Sequence, residues 1–116
     1  MLRDNPLIIS IQEDAASGTR IYTLNGPVTL PNLFDLQSQL RDGECPSAVI
    51  LDFRSVPYMD SAGMGAIINH FVHCRKLGVK LIAVAVCDRV GELFKLTKVD
   101  TVIPCRATLD EALAMV

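Results

Sequence analysis

Ala48-Val49-Ile50-Leu51-Asp52-Phe53 and, shortly after it, Tyr58-Met59-Asp60-Ser61-Ala62-Gly63-Met64-Gly65 decide how this chain folds. The first stretch is almost continuously apolar, the pattern of a central strand covered on both faces. In the second the period changes. From Ser61 onward, Met64, Ile67, Ile68, Phe71, Val72 and Leu77 recur at helical spacing, and Gly78 stands where a helix C-terminus favours glycine. A buried strand, a turn at Asp60-Ser61 and a long helix follow from these residues.

Working outward, Leu7 to Ile11 and Thr19 to Leu24 read as two antiparallel strands around the polar, glycine-containing loop Glu13 to Gly18. Leu33, Leu36, Gln37 and Leu40 lie at helical spacing. With Pro31 tolerated in a first turn, they predict a helix from about Pro31 to about Arg41. Asp42-Gly43-Glu44-Cys45-Pro46 is turn-like. Val79 to Val86 repeats the buried-strand signature, and Asp88 is placed to cap a helix carrying Val90, Leu93, Phe94 and Thr97. Val102-Ile103 is expected as a short edge strand. Thr108-Leu109-Asp110-Glu111 fits a capping box before a last helix over Ala112 to Val116. The order β-β-α-β-α-β-α-β-α predicts an α/β fold, a mixed sheet of about five strands with crossover helices.

With 116 residues the chain forms a single domain, 1–116, because this length buries roughly 65% of the surface its unfolded form exposes. Half the residues are hydrophobic and 21% are charged, which supplies a core and excludes a disordered chain. The net charge of -2 argues against a sequence-independent grip on nucleic acid, which depends on Lys and Arg neutralising phosphates. A protein partner is expected. Met1 to Pro6 shows no signal-peptide pattern and no apolar run approaches the ~20 residues that span a bilayer, so a cytoplasmic chain without membrane insertion is expected. Cys45, Cys74, Cys87 and Cys105 are dispersed, without a CxxC pair, and read as small buried hydrophobes.

Val49 to Phe53 followed by Val56-Pro57-Tyr58-Met59-Asp60-Ser61-Ala62-Gly63-Met64-Gly65 resembles the core motif of the STAS family, the anti-sigma factor antagonists and their relatives. The resemblance continues through Gly78-Val79-Lys80-Leu81 and Val90 to Thr97. It implies a small mixed sheet with four helices packed mainly on one side. It also implies a regulatory binding protein that docks a cognate anti-sigma factor acting as a serine kinase, and that is switched by phosphorylation of the serine after the aspartate. That serine is Ser61. The implied partner-binding surface comprises Thr29, Asp60, Ser61, Ala62, Gly63 and Met64, on a monomer or weak dimer. Kinase-regulated members carry an acidic residue in a Gly-x-x-Asp turn where this chain has Gly26-Pro27-Val28-Thr29. The alternative is therefore a constitutive STAS subunit of a lipid-transport ABC complex or a stress-signalling assembly.

Elementary chemistry supports the same site. A hydroxyl at a helix start lies beside unpaired amides and the positive end of the helix dipole, where a phosphate is electrostatically tolerated. The glycines at 63 and 65 are expected to keep the backbone approachable. An isolated Asp-Ser in this position also serves as a simple N-cap, and Asp60 can cap while Ser61 faces solvent. No catalytic residues are expected: Ser61 has no placed base, and there is no G-x-S-x-G elbow or phosphate-cradling glycine loop. Nor is a cofactor. His70, His73 and Cys74 fall at i, i+3 and i+4, but the wheel sets both histidines opposite the apolar stripe, toward solvent, and no metal site is expected.

Overall fold

In the computed structural model, residues 6–41 and 43–116 are described; the readings of Met1 to Asn5 as carrying no leader and of Asp42 as opening a turn fall outside them. The chain opens as the expected hairpin. Strand β1 (Ile8–Asp14) pairs antiparallel with β2 (Thr19–Asn25), Ile8 opposite Asn25 and Asp14 opposite Thr19. β1 runs three residues beyond Ile11 because its tight turn starts only after Asp14. There the Gly18 amide donates to the Asp14 carbonyl at 2.8 Å, and Gly18 takes φ +70°.

Leu30–Asn32 forms a single 3-10 turn before α1 (Leu33–Arg41), so the helix proper begins two residues after Pro31. Then follow β3 (Ala48–Ser55), α2 (Ser61–Lys76), β4 (Lys80–Val84), α3 (Asp88–Leu96), β5 (Cys105–Arg106) and α4 (Leu109–Leu113). The sheet order is β1-β2-β3-β4-β5, with β2 to β5 mutually parallel.

Alternation along the strands divides the core in two. Tyr22, Leu24, Val49, Leu51, Phe53 and Leu81 face α1, α2 and α3, meeting Leu36, Leu40, Met64, Ile67, Val90 and Phe94; Phe53 and Phe94 pack edge to face at 5.8 Å. On the other face Ile21, Ile50, Ile82 and Val84 meet Ala112, Leu109, Leu113 and Met115 of α4 and its C-terminal extension. β3 is apolar from Ala48 to Leu51 and at Phe53, with Asp52 buried between them, because both of its faces are covered there; only Arg54 and Ser55 at its end are exposed. Three helices lie on one side of the sheet and the shortest on the other.

The helix ends follow their residues. At α2, the amides of Gly78 and Val79 donate to the carbonyls of Arg75 (3.2 Å) and Cys74 (2.8 Å), and Gly78 adopts φ +72°, a Schellman closure. At α4, the Glu111 amide donates to Thr108 Oγ1 (3.2 Å), and the Glu111 carboxylate returns to the Ala107 amide (3.1 Å). The last helix is Leu109–Leu113, starting and ending three residues before the expected Ala112 to Val116.

Two local expectations are corrected. Asp88 is the first residue of α3 rather than its cap; Cys87 holds the cap position without a side-chain capping bond, its thiol turned instead to the Val56 carbonyl at 3.6 Å. The edge strand lies at Cys105–Arg106, not Val102-Ile103. The amides of Val102 and Ile103 turn back to the Val99 carbonyl (3.0 and 2.8 Å), closing a 3-10 turn after left-handed Lys98, and Ile103 anchors that turn in the core. Alternation of apolar residues cannot distinguish a short strand from such an anchor.

Candidate functional site

The site is built where the loop after β2 meets the start of α2. Val28 and Met59 form a parallel bridge outside the main strands: the Val28 amide donates to the Tyr58 carbonyl and the Asp60 amide to the Val28 carbonyl, each at 3.2 Å. Asn32, buried at the foot of this loop, donates from Nδ2 to the Pro27 carbonyl at 2.9 Å.

Asp60 joins the two segments. Its Oδ1 accepts from the Gly63 amide at 2.8 Å, capping α2, and its Oδ2 accepts from the Leu30 amide at 3.0 Å. Both carboxylate oxygens are thus engaged by backbone, which holds the β2–α1 loop against the helix start. Ser61, the next residue, is exposed, and among the described residues none hydrogen-bonds its hydroxyl. The amides of Ser61 and Ala62, at the first two helical positions, have no intrahelical acceptor.

The structure corrects part of the expected surface. Thr29 and Ala62 are half-buried at its border and Asp60 is partly accessible, but Gly63 and Met64 are buried. A Cβ on Gly63 would collide with the Val28 carbonyl, so this glycine admits the backbone of the neighbouring loop rather than a partner. Met64 is 2% exposed, packed inward on the stripe that also carries Ile67, with Thr97 Oγ1 3.6 Å from its sulfur. Gly65 alone of the two glycines stands in open space.

Two residues that the sequence reading passed over are exposed: Leu30, whose amide Asp60 holds, at 65%, and Phe34, four residues further on in the first turn of α1, at 82%. A signal was present, since Phe34 falls off the Leu33, Leu36, Leu40 stripe. On the other side, the Arg89 guanidinium stacks 5.1 Å from the Tyr58 ring.

The histidines part company. His70 is 4% exposed, against the expectation that it faces solvent, and His73 is half-buried, its ring stacked 6.0 Å away. The apolar stripe of α2 is wide enough at its C-terminal half to include position 70, where α1 and the sheet close over it. Burial, with the positive charges of His73 and Arg41, lowers the His70 pKa to about 4. Cys74 is buried beside it and its thiol is pushed up to about 11 by burial, with a smaller push from Cys45. The other cysteines depart from the expected burial: Cys45 and Cys105 are exposed and Cys87 is half-buried. Among the described residues no group of three or more His, Cys, Asp or Glu side chains is placed to hold a metal, and no helix is long and apolar enough to cross a membrane.

The STAS domain model matches residues 10–112, nearly the whole chain. The chain belongs to the STAS domain family. Among solved STAS structures similar to it is an anti-sigma factor antagonist from Mycobacterium paratuberculosis, with 18% identity over 95% of this chain and 93% of that one and a TM-score of 0.81. A putative anti-sigma factor antagonist from Thermotoga maritima matches with 18% identity over 93% of each chain and a TM-score of 0.79. A sulfate transporter family protein from Wolinella succinogenes matches with 28% identity over 84% of each chain and a TM-score of 0.72. The five-stranded mixed sheet with four helices is the STAS fold of the anti-sigma factor antagonists.

Proposed function

We propose that this STAS domain is a regulatory binding module, not an enzyme, whose α2 N-terminal end docks an anti-sigma factor of the serine-kinase type and is switched by phosphorylation of Ser61. The observation that carries this reading is the exposed Ser61 hydroxyl, without a partner among the described residues, beside a carboxylate whose two oxygens are already engaged. Asp60 does not tie up the serine, so a kinase has free access to it. The docking face is Ser61 and Ala62 with the rims of Thr29 and Asp60, extended by Leu30 and Phe34.

A phosphate at Ser61 brings about -1.5 to -2 charges next to Asp60, while the free amides at the helix start make it locally tolerable. A docked partner must then desolvate two adjacent anions. Losing ~3 kcal/mol at that contact lowers affinity by roughly two orders of magnitude. The test is incubation with candidate partner kinases and ATP, then phosphopeptide mapping, with binding measured for wild type, Ser61→Ala and Ser61→Asp. Phosphate on Ser61 and weakened binding by Ser61→Asp are expected; no modification together with equal binding by all three would overturn the switch.

A second reading, a constitutive subunit of a transport assembly, is favoured by neutral Thr29 at the usual acidic position and by the transporter-family neighbour. Under that reading Ser61→Asp and Ser61→Ala bind the partner alike.

A further inference from the structure

The two edges of the sheet are finished differently. β5 closes one side with only two residues, Cys105 and Arg106, too few to recruit another strand. β1 closes the other with seven, and each of them from Ile8 to Asp14 is paired on one side only, to β2, among the described residues. A strand of this length leaves a row of backbone N–H and C=O groups pointing outward, a template for a further strand.

The devices that protect such an edge are missing from most of it. Ile8–Asp14 contains no Pro, Gly, Lys or Arg. Its register against β2 is unbroken, whereas β2 against β3 shifts between Thr23 and Asn25. Apolar side chains stand out along it instead: Ile8 is 60% and Ile11 45% exposed. Ile9 and Ile11, opposite Leu24 and Tyr22, share the face of α1 to α3; Ile8, Ser10 and Gln12, the last opposite Ile21, share the face of α4.

The order of side chains along β1 fits a second copy of itself. Ile8, Ile9 and Ile11 fill its first half, and Glu13 and Asp14 end it. Parallel pairing of two copies sets these acids side by side; antiparallel pairing separates them. With Ser10 opposite its own copy, Ile9 meets Ile11 on the helix side and Ile8 meets Gln12 on the other, and Glu13 and Asp14 run on past the paired segment. Centring on Ile11 instead presses Glu13 onto Ile9 and Asp14 onto Ile8, and centring on Ile9 leaves only Ile8 to Ser10 paired within the strands. A one-residue slip sets Ile9 against Ser10 and turns the two helix layers to opposite sides of the sheet.

We infer that β1 is a dimerisation edge: two copies of the chain pair antiparallel through Ile8 to Gln12 about Ser10, joining their five-stranded sheets into one. A second copy supplies both the outward backbone groups and the matching apolar order. Strand direction reverses across the two-fold axis, and Ser61 follows β3, which runs parallel to β2 and so antiparallel to β1. The two Ser61 ends therefore point away from each other, and each stays open to a partner of its own. One strand pair lies at the small end of specific interfaces, so the association is weak, with a Kd on the order of 0.1 mM.

The test joins sedimentation equilibrium of the full chain to cysteine cross-linking. A reversible monomer–dimer equilibrium is expected, and Ile11→Lys, at an exposed position, is expected to raise its Kd at least about tenfold with an unchanged circular dichroism spectrum. For cross-linking, Ser10→Cys and Gln12→Cys are each placed in a chain whose exposed Cys45 and Cys105 are replaced by serine. Directly opposed residues have Cα atoms ~4.5–5.5 Å apart, within disulfide reach, whereas the two copies of residue 12 stand ~14 Å apart along the strands. Oxidation is expected to link Ser10→Cys into a dimer and to leave Gln12→Cys monomeric unless it is mixed with Ile8→Cys. The inference is overturned by a chain that stays monomeric at ten times that Kd, by a dimer that Ile11→Lys leaves unchanged, or by Ser10→Cys cross-linking no more readily than Gln12→Cys alone.

Discussion

Replacing Gly63 by alanine isolates the close approach that builds the Ser61 end. In a helix interior the change is normally favourable by up to ~1 kcal/mol. Here the added methyl group collides with the Val28 carbonyl oxygen and sits 2.7 Å from its carbon and 2.9 Å from Val28 Cγ1. Backbone has to move, since the nearest atoms belong to the bridge that pairs Val28 with Met59. Overpacking of this kind costs about 1–3 kcal/mol, and loosening the 3.2 Å bond from the Asp60 amide to the Val28 carbonyl adds about 1 kcal/mol. After the gain in helix propensity, a net loss of about 2 kcal/mol remains, or roughly 8 °C in Tm for a chain of this length. Gly65→Ala is the internal control: open space surrounds that position, so the same substitution two residues away is expected to stabilise by about 0.5–1 kcal/mol. Urea and thermal denaturation followed by circular dichroism measure both. A Gly63→Ala chain as stable as wild type, or two variants shifted alike, would refute the assignment of Gly63 to backbone packing.

Asp60→Ala is expected to cost about 1–2 kcal/mol through loss of the α2 cap, and amide exchange is expected to quicken at both Leu30 and Gly63, the two donors it holds. A rise at only one of them would contradict the strap. Burial holds the His70 pKa near 4 in the folded chain against an ordinary 6.5, so the unfolded chain binds the extra proton between those values. Stability is therefore expected to fall as pH drops from 6.5 and to level off below 4, by about 3 kcal/mol in total. Denaturation midpoints of wild type and His70→Gln over that window are expected to diverge toward neutral pH, wild type alone showing the dependence. Phe34→Ala is expected to leave stability within about 0.5 kcal/mol while weakening capture of the proposed partner kinase, measured by calorimetry on the same preparation.

The elements that were legible in the sequence are those whose pattern has one physical solution. The apolar run Ala48 to Phe53 admits only a strand covered on both sides, and the Met64, Ile67, Phe71 stripe closed by Gly78 admits only a helix with a glycine cap. The Thr108 and Glu111 pair marked a helix start correctly for the same reason. What stayed hidden depends on contacts between distant segments. Gly63 looks like a flexible or accessible glycine until the Val28 carbonyl is seen lying on it. Met64 belongs to the stripe read as core, yet its place beside Ser61 suggested a surface role; its side chain follows the stripe. His70 sits at the margin of that stripe, and only the packing of α1 decides that it is enclosed. The Leu30–Asp60 bond spans thirty positions and no local pattern encodes it.

Sheet order has a consequence for synthesis. Because the order is β1-β2-β3-β4-β5, each strand pairs with the one that left the ribosome just before it, and no edge has to wait for a distant segment. The covering of the second face behaves differently. Ile21, Ile50, Ile82 and Val84 are matched only by Leu109, Ala112, Leu113 and Met115. A nascent chain that has already assembled its sheet therefore carries an apolar strip on that face until Leu109 to Met115 have emerged to cover it.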